Sequence, residues 1–142
     1  MSNYIQSNQV VTLPDAANSI SSADTGKTFI IPAVGLAATN RIITLPTAQL
    51  GLKYKFIMSA LTGAANTRLV SITGGANSMY DVLLQSGGSI STNAAGSTSV
   101  QLLGGVAGAG AGPGDSIEVT CMSGTQWSVL GSSSATAAFA VV

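Results

Sequence analysis

Ser116-Ile117-Glu118-Val119-Thr120-Cys121-Met122, then Ser123-Gly124-Thr125, then Gln126-Trp127-Ser128-Val129-Leu130, is the stretch from which the fold is read. Ile117, Val119 and Cys121 alternate with Ser116, Glu118 and Thr120. A period of two puts apolar side chains on one face of a pleated strand and polar ones on the other. The two runs predict a hairpin with a three-residue loop, whose central Gly124 supplies the left-handed residue of a tight turn. Trp127 and Val129 then join the inward face beside Ile117 and Val119.

The same reading extends outward along the chain. Tyr54, Phe56 and Met58 point one way, and Lys53, Lys55 and Ile57 the other. Strands are expected over 10–13, 28–31, 41–45, 53–59, 68–73, 81–85, 99–103, 116–122, 126–130 and 138–142, each bounded by turn residues. Pro14, Pro32, Pro46 and Pro113 close or precede these runs and never interrupt one, as a sheet requires. Apolar residues rarely recur at helical spacing, and Gly, Pro, Ser or Asn breaks most windows long enough for a helix. The expected fold is therefore all-β: one domain over 1–142, an antiparallel β-sandwich or jelly roll. Val10-Val11-Thr12-Leu13-Pro14 and Ile42-Ile43-Thr44-Leu45-Pro46 share strand-ending chemistry, but their flanks do not align, which argues against a solenoid repeat.

Ten residues in 142 carry formal charge, five basic and five acidic, for a net charge of zero. Globular domains average roughly a quarter charged residues. Gly, Ala, Ser and Thr make 70 of the 142 and must cover most of the surface. Such a surface favours burial against partners, because little solvated charge opposes association. It does not favour nucleic acid, which needs clustered cations; Lys27, Arg41, Lys53, Lys55 and Arg68 are scattered singly or as one pair. No run of about 18 apolar residues is present to cross a membrane as a helix. The first nine residues lack a basic and an apolar region, so no cleavable secretory signal is expected. A single cysteine, Cys121, permits no internal disulfide and reads as a small buried hydrophobe.

No histidine is present, which removes the usual general base, the commonest metal ligand and every Ser-His or Cys-His arrangement. Asp15, Asp24, Asp81, Asp115 and Glu118 include no pair with a sequence reason to face across a cleft. Thr25-Gly26-Lys27-Thr28 fails as a phosphate loop. Ser21 stands where the motif's first glycine belongs, and Phe29-Ile30-Ile31-Pro32 continues as a strand where a helix is required. Gly110-Ala111-Gly112-Pro113-Gly114-Asp115 is a single copy of a glycine-aspartate pattern that binds calcium only when stacked, so a turn bonded by Asp115 is expected. The aromatic residues interleave with apolar ones and read as core filling. The chain is thus read as non-enzymatic, with no catalytic, cofactor or metal residue.

Two segments remain. Residues 104–114 are expected to form a flexible Gly/Ala loop, read as a long connection between strands in preference to a segment that a neighbour's backbone approaches closely. Residues 135–142 are apolar to the last, whereas chain ends are usually polar. A strand is expected there, in its own sheet or added to a neighbour's, with Phe139, Val141 and Val142 as candidate interface residues.

Ala23-Asp24-Thr25-Gly26-Lys27-Thr28-Phe29-Ile30, then Ile43-Thr44-Leu45-Pro46 with Gly51 and Tyr54-Lys55-Phe56-Ile57, and finally Gly114-Asp115-Ser116-Ile117-Glu118-Val119 with Trp127-Ser128-Val129-Leu130-Gly131, resemble small bacteriophage virion structural proteins of the capsid decoration or cement type. The resemblance implies a β-sandwich or jelly-roll subunit, often a trimeric homo-oligomer, docked on major capsid protein or other virion proteins, and located in a virion assembled in the host cytoplasm. The expected function is to stabilise a shell by protein-protein packing. Two rivals come from other classes: a tail-fibre or adhesin module that binds carbohydrate, which requires exposed aromatics, and an enzyme using only carboxylates and hydroxyls, which requires two acids converging in one cleft.

Overall fold

The computed structural model describes residues 9–32, 41–59, 69–75, 78–86, 90–92, 96–103, 110–136 and 138–142. Twelve strands are present among them: β1 Val10–Thr12, β2 Asn18–Ser19, β3 Thr28–Ile31, β4 Arg41–Thr44, β5 Lys53–Met58, β6 Leu69–Thr73, β7 Met79–Leu84, β8 Ile90–Thr92, β9 Ser99–Leu103, β10 Ser116–Cys121, β11 Trp127–Ser132 and β12 Phe139–Val141. The ten expected strands are all found, within two residues at their ends; residue 68, expected to open one of them, lies outside the described residues. The two short strands β2 and β8 carry no alternating apolar signal and were not expected. The 3₁₀ turn Ser22–Asp24 is capped reciprocally. Ser21 Oγ accepts the Ala23 N–H, and Asp24 accepts the Ser21 N–H at 3.0 Å.

The strands form two sheets, a seven-stranded one in the order β1-β3-β5-β10-β11-β7-β8 and a five-stranded one in the order β12-β9-β6-β4-β2. Their buried residues join one hydrophobic cluster, so the arrangement is sandwich-like. The pairing, however, is mixed. β1, β3 and β5 run parallel, as do β2, β4 and β6, and β7 lies parallel to β11. Only β5–β10, β10–β11, β7–β8, β6–β9 and β9–β12 are antiparallel. The expectation of antiparallel pairing throughout is corrected accordingly. From β1 to β6 the chain alternates between sheets, each strand lying beside the one laid down two steps earlier. This is a coil-like winding without a sequence repeat. The two apolar-Thr-Leu-Pro segments do not occupy equivalent places in it, since Val10–Thr12 belongs to the larger sheet and Arg41–Thr44 to the smaller.

The inward faces follow the alternation. Tyr54, Phe56, Met58, Ile117, Val119, Cys121, Trp127 and Val129 of the large sheet are buried, as are Ile43, Val70, Ile72, Val100 and Leu102 of the small one. Phe29 stacks on Phe56 with ring centroids 5.4 Å apart, and Tyr54 tilts against Trp127 at 6.0 Å. The β10–β11 hairpin closes where the Met122 N–H donates to the Gln126 carbonyl at 2.9 Å. Gly124 does not take the left-handed conformation expected of it. Instead Ser123 Oγ accepts the Thr125 N–H, and the Cys121 thiol donates to the Ser123 carbonyl, so side chains turn the loop.

Gly131 sets the spacing between the layers. A Cβ there would lie 2.6 Å from Leu83 Cδ2 and 3.2 Å from the Phe139 ring, which reaches across from the smaller sheet. Gly131→Ala is therefore expected to destabilise the fold by about 1–3 kcal/mol through overpacking. Gly124→Ala, whose added methyl meets no atom within 4 Å, leaves the urea midpoint close to that of the parent chain.

Candidate docking surfaces

The five carboxylates are dispersed and already partnered. Asp24 takes Lys27 Nζ at 2.6 Å, Asp15 takes Arg41 Nε at 2.7 Å, and Glu118 takes Lys53 Nζ at 2.9 Å. The hydrogen bond from Lys27 and the Ser21 N–H hold the Asp24 carboxyl below its ordinary range. Asp115 is buried and accepts the Gly112 and Ser134 N–H groups and the Ser133 hydroxyl, at 2.8, 3.0 and 2.7 Å. It does bond its own turn, as expected, and it also ties that turn to the strand end at Ser133–Ser134. Asp81 is buried on the inward face of β7 between Met79 and Leu83, with the Ser97 hydroxyl 3.1 Å from Oδ1. Burial raises its pKa, and the Ser97 bond only partly opposes that. Among the described residues, no three acidic or cysteine side chains group as they would around a metal ion.

The Thr25–Thr28 segment serves the fold. Gly26, at φ +84°, donates its N–H to the Lys53 carbonyl, Thr25 Oγ1 accepts the Lys53 N–H, and the chain enters β3 directly. Gly26, Lys27, Thr28, Lys53, Tyr54, Lys55 and Glu118 line an open depression of about 250 Å³. Of the three lysines there, Lys27 and Lys53 are ion-paired. The Tyr54 hydroxyl is turned away to the Ser21 carbonyl at 3.1 Å, and burial pushes its pKa up to about 12. Of the Gly/Ala loop, residues 104–109 lie outside the described residues. The remainder is anchored by the Ala111 N–H to the Leu103 carbonyl and by the Gly114 N–H to the Met58 carbonyl.

The C-terminal segment is a strand of the chain's own smaller sheet, paired antiparallel with β9. Phe139 is 6% exposed and fills the core against Gly131, so it is not an available interface residue. Val141 is half-buried against the core, and Val142 is 65% exposed. Removing 135–142 would strip Ala135, Ala138 and Phe139 from the core. Truncation there tests folding before it tests assembly.

The larger exposed surface lies elsewhere. On the outer face of the seven-stranded sheet, one row across the strands reads Val10, Thr28, Lys55, Glu118, Leu130, Val82, and the next reads Thr12, Ile30, Ile57, Ser116, Ser132, Leu84. Val10 is 64% exposed, Leu130 51%, and Val82 and Leu84 45% each. This face joins three strands of the parallel winding to the hairpin and β7, so no single segment of sequence displays it. The local signal for it was the run Met79 to Leu84, whose apolar residues fall on both faces. The chain matches no protein-family model, no curated protein and no solved structure.

Two outcomes follow from the buried acids. Asp115→Ala leaves the buried Gly112 N–H without an acceptor and is expected to lower unfolding free energy by roughly 1–3 kcal/mol, measured by urea titration. For Asp81 the folded pKa is raised, so its contribution favours the native state below the unfolded pKa and is lost as pH rises through the folded value. In urea titrations at pH 4 and pH 7, Asp81→Asn should therefore compare more favourably with the parent chain at pH 7 than at pH 4.

Proposed function

We propose that this chain is a virion structural subunit of the decoration or cement type, which stabilises a shell by packing a weakly charged β-surface against neighbouring subunits, copies of itself included. One observation supports the reading above the rest: the outer face of the seven-stranded sheet, which carries exposed Val10, Val82, Leu84 and Leu130 around the charges of Lys53, Lys55 and Glu118. A face of that kind loses little solvation on burial and gains about 25 cal/mol for each Å² of apolar surface covered. The carboxylates described above are each committed to a cation, a hydroxyl or backbone N–H groups, which leaves packing as the chemistry this surface performs.

Sugar recognition has less behind it. Of the six described aromatic residues, Phe29, Tyr54, Phe56, Trp127 and Phe139 are buried, and Tyr80 is half-buried with its hydroxyl near Gln126 Nε2 at 3.3 Å.

The decisive experiment is to purify virus particles from the source of the chain, probe them with antibody against it, and add the recombinant protein to shells lacking it. The expected result is stoichiometric recovery in the particle and co-sedimentation with the shell. Absence from the particle, together with binding on a glycan array, would replace this reading with the carbohydrate one.

A further inference from the structure

One row on the outer face of the seven-stranded sheet is complementary to itself. In the row Val10, Thr28, Lys55, Glu118, Leu130, Val82, a line drawn between β5 and β10 parallel to the strands divides three residues from three. A two-fold axis along that line, lying in the plane between two stacked copies, places each residue opposite its mirror position in the row. Lys55 then meets Glu118 of the second copy, Thr28 meets Leu130, and Val10 meets Val82. The axis also keeps the strands of the two copies aligned, the usual way in which sheets stack.

The charges fit this pairing. Glu118 Oε1 is held by Lys53 of its own chain, which sits at the rim with its side chain 53% exposed, and no described carboxylate pairs with Lys55. A second copy brings a carboxylate to Lys55 without disturbing the Lys53 pair, and a chain of zero net charge sets up no long-range repulsion between copies. The area is also sufficient. The six strands that face one another, three to six residues long and about 4.8 Å apart, give a flat footprint on the order of 500 Å², which with side-chain relief reaches the lower end of stable interfaces, about 600 Å² of accessible surface per partner.

From this we infer that the chain pairs with a second copy of itself through this face, as an isologous two-fold dimer. The inference rests on the reading of the chain as an assembly subunit and replaces the trimer that the resemblance implies, since a three-fold needs two different surfaces instead of one self-matching face.

The test is sedimentation equilibrium of the full chain and of variants at exposed positions. The parent chain should be a dimer. Lys55→Glu, which sets carboxylate against carboxylate, should raise the dissociation constant at least about tenfold, and adding Glu118→Lys to it should restore much of the loss. Leu130→Lys should likewise dissociate the pair. Ile42→Lys, at a 44%-exposed position on the smaller sheet, should leave it intact and shows that an added surface charge alone is harmless. A parent chain that is monomeric at every concentration, or an oligomer indifferent to Lys55→Glu and Leu130→Lys, overturns the inference. Either result leaves shell binding to be judged separately by co-sedimentation, so the two readings fail independently.

Discussion

Trp127 joins the two halves of this fold. It begins β11, is fully buried, tilts against Tyr54 of the parallel winding, and lies over Gly74 at the end of β6. A Cβ on Gly74 would come within 2.8 Å of Trp127 Cδ1, so the indole can occupy its place only because position 74 has no side chain. Among the described residues, the buried Trp127 Nε1 finds no hydrogen-bond partner. A tryptophan retained on those terms contributes through its size. It covers the seam where strands laid down early in the chain meet the hairpin laid down late, and a smaller side chain would leave that seam open.

From this contact the layering follows. The winding from β1 to β6 builds three strands of each sheet, but its last rungs leave the edges of β5 and β6 unpaired. The antiparallel strands β10 and β9 satisfy those edges, and β11 and β12 continue beyond them. Gly131 and Phe139 then fix how closely the sheets approach on the far side. The Asp115 cluster performs the corresponding task for backbone polarity, gathering the N–H groups of two turns onto one buried carboxylate.

The strand positions and their inward faces were legible in the sequence because each depends on alternation within a few residues. Tyr54, Phe56, Ile117, Val119 and Trp127 all lie where that alternation puts them. Strand direction was not legible, for a physical reason. Parallel sheets usually read as continuous apolar runs because crossover helices cover their outer faces. Here each crossover is a strand of the opposite sheet, the outer faces stay exposed, and β5 alternates like an antiparallel strand while lying parallel to β3. The hairpin loop shows the same limit at smaller scale. Gly124 looked like the residue that turns it, whereas the Ser123 and Cys121 side chains carry out that role.

The candidate surface was illegible for a related reason. Phe139 and Val142 were suspected because they end the sequence on an apolar run, yet an apolar run reports burial without saying against what. β12 uses Phe139 for its own core and leaves only Val142 well exposed. The outer row from Val10 to Val82 draws on six strands from distant parts of the chain, so its match of Lys55 to Glu118 and Val10 to Val82 exists only once the register is set. Self-complementarity of this kind is a property of topology. A one-residue slip of β10 against β5 would turn Glu118 inward and bring Ile117 or Val119 to the surface, so the pleat that buries the core also fixes the charge pattern of the face it presents.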